Sequence, residues 1–200
     1  MRADVRCVTV LFLVVAVIPV TNATAKAPRP DFVDLSTRQA RLFLERVRRA
    51  PGPFSQAVAA NYGRLRVMRA RSKIGGGDYS VASISGEGTR FTVALSPRAL
   101  KPGHWGDHMT AHELGHVIIN AVFDGAAWVD AFELFGLSGN WHDCFADAGA
   151  EGGCVPPDEI LADQLAFYAT GYSAARSAYR VPPLANRDAF GDLLPRLIGR

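Results

Sequence analysis

His112, Glu113 and His116 stand in the order His-Glu-Leu-Gly-His, inside a run whose apolar residues recur at helical spacing. Met109, Leu114, Val117, Ile118, Ala121 and Val122 give that run an apolar side. Asp107 is placed to cap it, and it extends to about Phe123 with Gly125 just past its end. Side chains four apart on a helix lie about 40° apart around the axis, so both imidazoles project from one face. They can fill two corners of a tetrahedral zinc site while Glu113 reaches the water on the metal. Zinc lowers the pKa of that water from about 15.7 to roughly 7, and a carboxylate can finish removing the proton. The chemistry this spells is attack on a peptide carbonyl polarised by the same ion, with Glu113 carrying the proton on to the leaving amine.

Two imidazoles need a third protein ligand. Glu159-Ile160-Leu161-Ala162-Asp163 places two carboxylates at i and i+4, where like charges repel by about a few tenths of a kcal/mol on a bare helix. A cation facing Glu159 and an imidazole N–H facing Asp163 would reverse that penalty. Glu159 is then the third ligand, and Asp163 the carboxylate that orients a ligating histidine from behind. Acids in a first helical turn are favoured anyway, which alone would account for Asp158 and Glu159. Asp143, Asp147, Glu151 and His142 remain alternatives for the third position. His104 and His108 continue the four-residue spacing, and His108 can share the helix face of the pair. Such a residue is more often a surface or supporting histidine than a ligand.

His-Glu-Leu-Gly-His followed by Glu-x-x-Ala-Asp resembles the gluzincin branch of zinc metallopeptidases, which includes thermolysin-like, M48-type and ImmA/IrrE-type enzymes. The resemblance covers roughly residues 104–172. It implies His112, His116 and Glu159 as ligands of one zinc ion, Glu113 as catalytic base and Asp163 behind a ligating ring. Metzincins carry a further histidine six residues after the second, where this chain has Val122. Gluzincins also hold the oxyanion of the tetrahedral intermediate with a His or Tyr, for which His142, Tyr168 and Tyr172 are candidates. In zincins generally, the strand before the active helix is a sheet edge that pairs with extended substrate. Phe91–Leu95 is expected in that role.

The elements that must position these residues are legible in outline. Ser36 and Gln39 form a capping-box start with Leu35 as the staple, and a helix follows until Pro51-Gly52. A short helix from about Phe54 to Tyr62 comes next. Three strand-like runs follow, Leu65–Ala70, Tyr79–Ile84 and Phe91–Leu95. The glycine-rich segments 75–78 and 86–88 read as hairpin turns between them. Residues 128–154 read as a looser segment. Pro156-Pro157-Asp158 opens a further helix, which Gly171 closes. Trp105, Trp128 and Trp141 read as core or cleft wall. The expectation is an α+β, zincin-like fold, a small antiparallel or mixed sheet packed against an active-site helix and a second motif-bearing helix.

Composition constrains the setting. Arg2 and Arg6 precede an apolar run from Val8 to Val20, and Ala23-Thr24-Ala25 supplies a small-x-small cleavage site. Residues 1–25 therefore read as an export signal cut near Ala25. This thirteen-residue run falls short of the roughly twenty that a membrane span needs. The mature chain, 26–200, is expected to be one secreted or cell-envelope domain. Its two remaining cysteines, Cys144 and Cys154, most simply form a disulfide. The formal net charge of +3 is too small to argue for nucleic acid. Charge is unevenly distributed, however. Residues 26–73 hold twelve basic side chains against three acidic ones. Residues 104–175 hold no Lys or Arg, eleven carboxylates and all five histidines. Such a stretch suits a bound divalent cation and, weakly, a cationic substrate. The basic helical segment 26–60 is a candidate pro-segment. The expected function is a secreted zinc metalloendopeptidase acting on peptide or protein substrates. The alternative is an exported zinc-binding structural or interaction domain without turnover.

Overall fold

The computed structural model describes residues 28–71, 80–85, 90–135, 156–172 and 189–198. Within them, six α-helices accompany a small mixed sheet of four strands. The export segment, both cysteines, His142, Asp143, Asp147, Glu151 and the two glycine-rich turns lie outside the described residues. No helix among the described residues is long and apolar enough to cross a membrane.

A three-residue strand, β1 (Asp31–Val33), leads into α1 (Thr37–Arg49). The Ser36 hydroxyl accepts from the Gln39 N–H at 3.3 Å while the Gln39 side chain accepts from the Ser36 N–H at 2.9 Å, so the capping box forms in full. Ala50 turns extended ahead of Pro51, as a residue before proline must, and α2 (Gly52–Ala60) starts afresh. The strands β2 (Leu65–Arg69), β3 (Val81–Ser85) and β4 (Arg90–Leu95) complete the sheet in the order β1-β2-β4-β3.

That order corrects two expectations. Phe91–Leu95 is an interior strand, with β2 parallel on one side and β3 antiparallel on the other. Among the described residues, the sheet edge beside the His-Glu-Leu-Gly-His helix is therefore β3. Nor does the glycine-rich segment 75–78 close a hairpin, because β2 and β3 are not neighbours. Segment 86–88 does join antiparallel partners, from the Ser85↔Arg90 pair onward. β1 leaves little trace in the sequence, being three residues long and pairing in parallel with β2, a non-local choice.

The helices pack on the sheet through a continuous apolar core. Phe91, Val93 and Leu95 of β4 and Leu65 and Val67 of β2 meet Phe43 and Val47 of α1 and Phe54 of α2 there. Leu114 and Ile118 of α3 (His104–Val122) belong to the same core, as do Leu161 and Leu165 of α5 (Pro157–Thr170). α3 begins at His104, three residues before Asp107, and is capped by Gly103, whose φ of 127° makes the entry turn that a side chain would resist. Asp107 is not the cap. Its carboxylate is taken by Arg46, which is buried and donates from Nε to Asp107 at 2.7 Å. The same guanidinium donates to the carbonyls of Ala99 and Lys101 at 2.6 Å and to Thr110 Oγ1 at 2.8 Å. The fork geometry of arginine thus fastens α1 to the first turns of α3 and the loop before it.

The expected loose segment is partly helical. α4 (Gly125–Phe135) starts where Asp124 Oδ1 accepts from the Ala127 N–H at 2.9 Å, and it buries Trp128 and Phe132 one turn apart. Gly125 is thus the first residue of a new helix and not the stop of the previous one. α6 (Ala189–Ile198) contributes Phe190, Leu193 and Leu194 to the core despite Pro195. α5 ends on Gly171 in the left-handed region, φ 66°, as its position after the last apolar residue leads one to expect.

Candidate metal centre

α3 and α5 lie side by side and antiparallel, as their pairings show. His116 faces Asp158 and Glu159, His112 faces Glu159 and Asp163, and His108 faces Asp163 and Tyr172. The small residues Gly115 and Ala162 meet at the contact. That close approach brings a first-turn carboxylate of α5 to the histidines of α3.

His112, His116 and Glu159 each offer an atom within 4.8 Å of the other two. His112 Nε2 lies 3.1 Å from Glu159 Oε2, and His116 Nε2 lies 3.5 Å from Glu159 Oε1. Donors about 2.1 Å from one ion at tetrahedral angles are separated by about 3.4 Å, so these spacings suit a single small cation. Two imidazoles and a carboxylate are also a donor set that zinc accepts. The group could hold a metal ion.

The other nitrogen of each ring also faces a carboxylate. Asp163 Oδ1 lies 3.9 Å from His112 Nδ1, and Asp158 Oδ2 lies 3.8 Å from His116 Nδ1. Both separations exceed a hydrogen bond but align each imidazole between two acids. Asp163 Oδ1 thus lies on the Nδ1 side of His112. The nearest imidazole to Asp163 is nevertheless that of His108, at 2.9 Å. Asp158 is the site residue that sequence reasoning passes over. Its only signal is adjacency to Glu159, and a first-turn acid has an ordinary explanation.

Glu113 is only 3% exposed and accepts a hydrogen bond from the Ala82 backbone. Backbone groups of an antiparallel strand point either at the partner strand or away from it. Ala82 lies on β3, so its N–H is turned from β4 toward Glu113, along the edge of the sheet. The carboxyl therefore stands between the imidazole pair and the outer edge of β3.

Electrostatics follow from this crowding. For Glu113, burial pushes the carboxyl up; His112 and His116 pull it down, Glu159 pushes it up, and the Ala82 N–H pulls it down. The net shift is upward. For Glu159, burial acts upward but is outweighed by hydrogen bonds to His112 and His116 and by their charges. Its carboxyl is held well below the usual carboxylate range. His112 is lowered by burial, yet the Glu159 hydrogen bond and the charges of Glu113, Glu159 and Asp163 raise it overall. Two neighbouring carboxyls are thus driven apart, Glu159 toward its ionised form and Glu113 toward its protonated form.

Of the oxyanion candidates, His142 lies outside the described residues. Tyr168 is buried on the opposite side of α5, with its ring 5.8 Å from Phe190 and its hydroxyl against Gly191. Tyr172 lies over His104 and His108, at ring distances of 5.6 and 5.9 Å. Compared with known proteins, the chain matches no family model, no curated protein and no solved structure.

Proposed function

We propose that the chain is an exported, zinc-dependent metallopeptidase of the gluzincin kind, with a zincin-like α+β architecture. The observation that carries this reading is the placement of Glu113, a buried carboxyl held between a three-donor cluster and the N–H of an edge strand. A site that only staples a fold has no use for a carboxyl raised in pKa beside its donors. The candidate signal at residues 1–25 supports export.

His112, His116 and Glu159 would hold one zinc ion, with Asp163 and Asp158 behind the two rings. Bound there, the ion supplies Lewis acidity, polarising a carbonyl and acidifying a water. Glu113 takes the proton of the attacking water and delivers it to the departing amine nitrogen. Burial raises its proton affinity above that of an exposed glutamate, which favours taking that proton. An extended peptide would add as a further strand along β3, pairing with its outward backbone groups other than the Ala82 N–H that Glu113 takes. This pairing reads backbone and so accepts many side chains, as an endopeptidase requires.

The test is zinc content together with cleavage of a mixed peptide library, with and without chelator. The expected result is one zinc per chain, cleavage that stops when zinc is stripped and returns when it is restored, and a Glu113→Gln variant that keeps zinc but does not cleave. Bound zinc without any cleavage would leave a binding module, and cleavage by Glu113→Gln would remove the assigned base.

A further inference from the structure

His108 lies one helical turn before His112, is 1% exposed, and has both ring nitrogens engaged. Nδ1 faces the Tyr172 carbonyl at 3.2 Å and Nε2 faces a carboxylate oxygen, both acceptors, so each ring nitrogen donates in its own bond. That oxygen is Asp163 Oδ1, 2.9 Å from Nε2. The ring therefore spans two points of one neighbour, Asp163 within α5 and Tyr172 just beyond its end, and cannot turn without losing both. Tyr172 packs edge-on against it and stacks on His104, which closes the ring in.

The Oδ1 atom that bonds His108 is also the atom that faces His112 Nδ1, at 3.9 Å. A carboxylate behind a ligating imidazole fixes ring rotation only if the carboxylate is itself fixed, and Asp163 turns about two side-chain bonds. We propose that His108 is a positioning residue of the metal centre. It pins Asp163 beside His112 and anchors the end of α5 to α3, so that the His112 ring is oriented before a metal arrives. The proposal rests on the reading of His112 as a ligand. It differs from an ordinary buried histidine in one respect: what matters is the bond to Asp163, not the volume filled.

Glutamine and methionine at position 108 separate these roles, since they match in length and bulk while only glutamine can donate to Asp163. Zinc affinity is measured by competition with a chromogenic chelator on the full-length chain, beside unfolding midpoints of the metal-free proteins. The expected result is that His108→Met weakens zinc binding about 10-fold or more, while His108→Gln stays within about threefold of the parent. If His108→Met does not fold, His108→Asn replaces it, being long enough for the Tyr172 carbonyl but too short for Asp163. Equal zinc affinities in the two variants, or equal losses that follow their stabilities, would overturn the proposal and leave the metal site standing. A parent chain that binds zinc no better than Glu159→Ala would overturn both.

Discussion

Gly115 and Ala162 meet so closely that a methyl group on Gly115 would lie 3.0 Å from the Ala162 Cα and 3.1 Å from its carbonyl oxygen. Both atoms are backbone and cannot swing aside, so the glycine sets the separation of α3 and α5. The same contact lies between His112 and His116 on one helix and beside Glu159 on the other. Gly115→Ala should therefore push the helices apart by a few tenths of an ångström, beyond the roughly 0.2 Å that a metal site tolerates. Overpacking of about 1–3 kcal/mol should exceed the gain of up to about 1 kcal/mol in helix propensity. The expected outcome is a lower unfolding midpoint and weaker zinc binding. Gly125→Ala, with nothing within 4 Å of the added methyl, should be neutral or slightly stabilising. Equal behaviour of the two variants would show that the contact is not tight.

Glu159 is the acid whose loss should be felt most at the centre, because it touches both imidazoles at once. Glu159→Gln keeps the shape and removes the charge, and zinc occupancy should fall below about a third of the parent value after gentle purification. Asp158→Asn acts only behind His116, so it should weaken zinc by about 10-fold and leave the stoichiometry intact at saturating metal. Atomic absorption together with chelator competition reads both. Full zinc retention by Glu159→Gln would move the third ligand elsewhere.

The donor cluster is legible in the sequence because helical spacing is rigid: two histidines four apart must share a face, and a Glu-x-x-x-Asp pair must share another. His108 obeys the same spacing, yet its burial and its bond to Asp163 depend on where α5 crosses, which no local pattern contains. Asp107 reads as a cap because acids usually cap, and a buried arginine from 61 positions earlier claims it. The sheet order is hidden for a similar reason. Alternating residues in Phe91–Leu95 report that one face is buried, but they do not say that β2 and β3 flank the strand from opposite sides. α4 is concealed by Gly125, which looks like the stop of one helix and is the start of the next.

The raised His112 imidazole gives metal uptake a defined pH dependence. With a folded pKa above the ordinary value of about 6.5, its proton stabilises the metal-free fold fully below that pH. This contribution is lost as the pH rises through the raised value. Zinc bound at His112 as proposed would displace the same proton, so it would compete poorly in acid and bind with proton release. The rise in unfolding midpoint on adding zinc should be larger at pH 8 than at pH 6, and calorimetry in buffers of different ionisation enthalpy should register the released proton. An equal rise at both pH values would mean that His112 is not the group zinc displaces.

The basic segment 26–60 raises the question of whether maturation removes it. Its β1 strand pairs with β2, and Phe43, Val47, Phe54, Ala57 and Val58 are all buried in the common core. Arg46 adds four hydrogen bonds to the first turns of α3 and the loop before it. A chain starting after residue 60 would expose the far side of that core and leave Asp107, Thr110 and two carbonyls without this partner. We expect secreted, active protein to retain residues 31–60, and an expressed 61–200 fragment to be insoluble or unfolded by circular dichroism. Arg46→Met in the full chain should destabilise by about 1.5–3 kcal/mol, because its charged hydrogen bonds are lost while Arg49 stays beside the part-exposed Asp107. Arg46→Lys should recover only part of that, because an ammonium cannot reach all four acceptors from one position. Mass spectrometry of the secreted protein decides the matter, since an active species beginning beyond residue 60 would make the segment a true pro-region despite its place in the core.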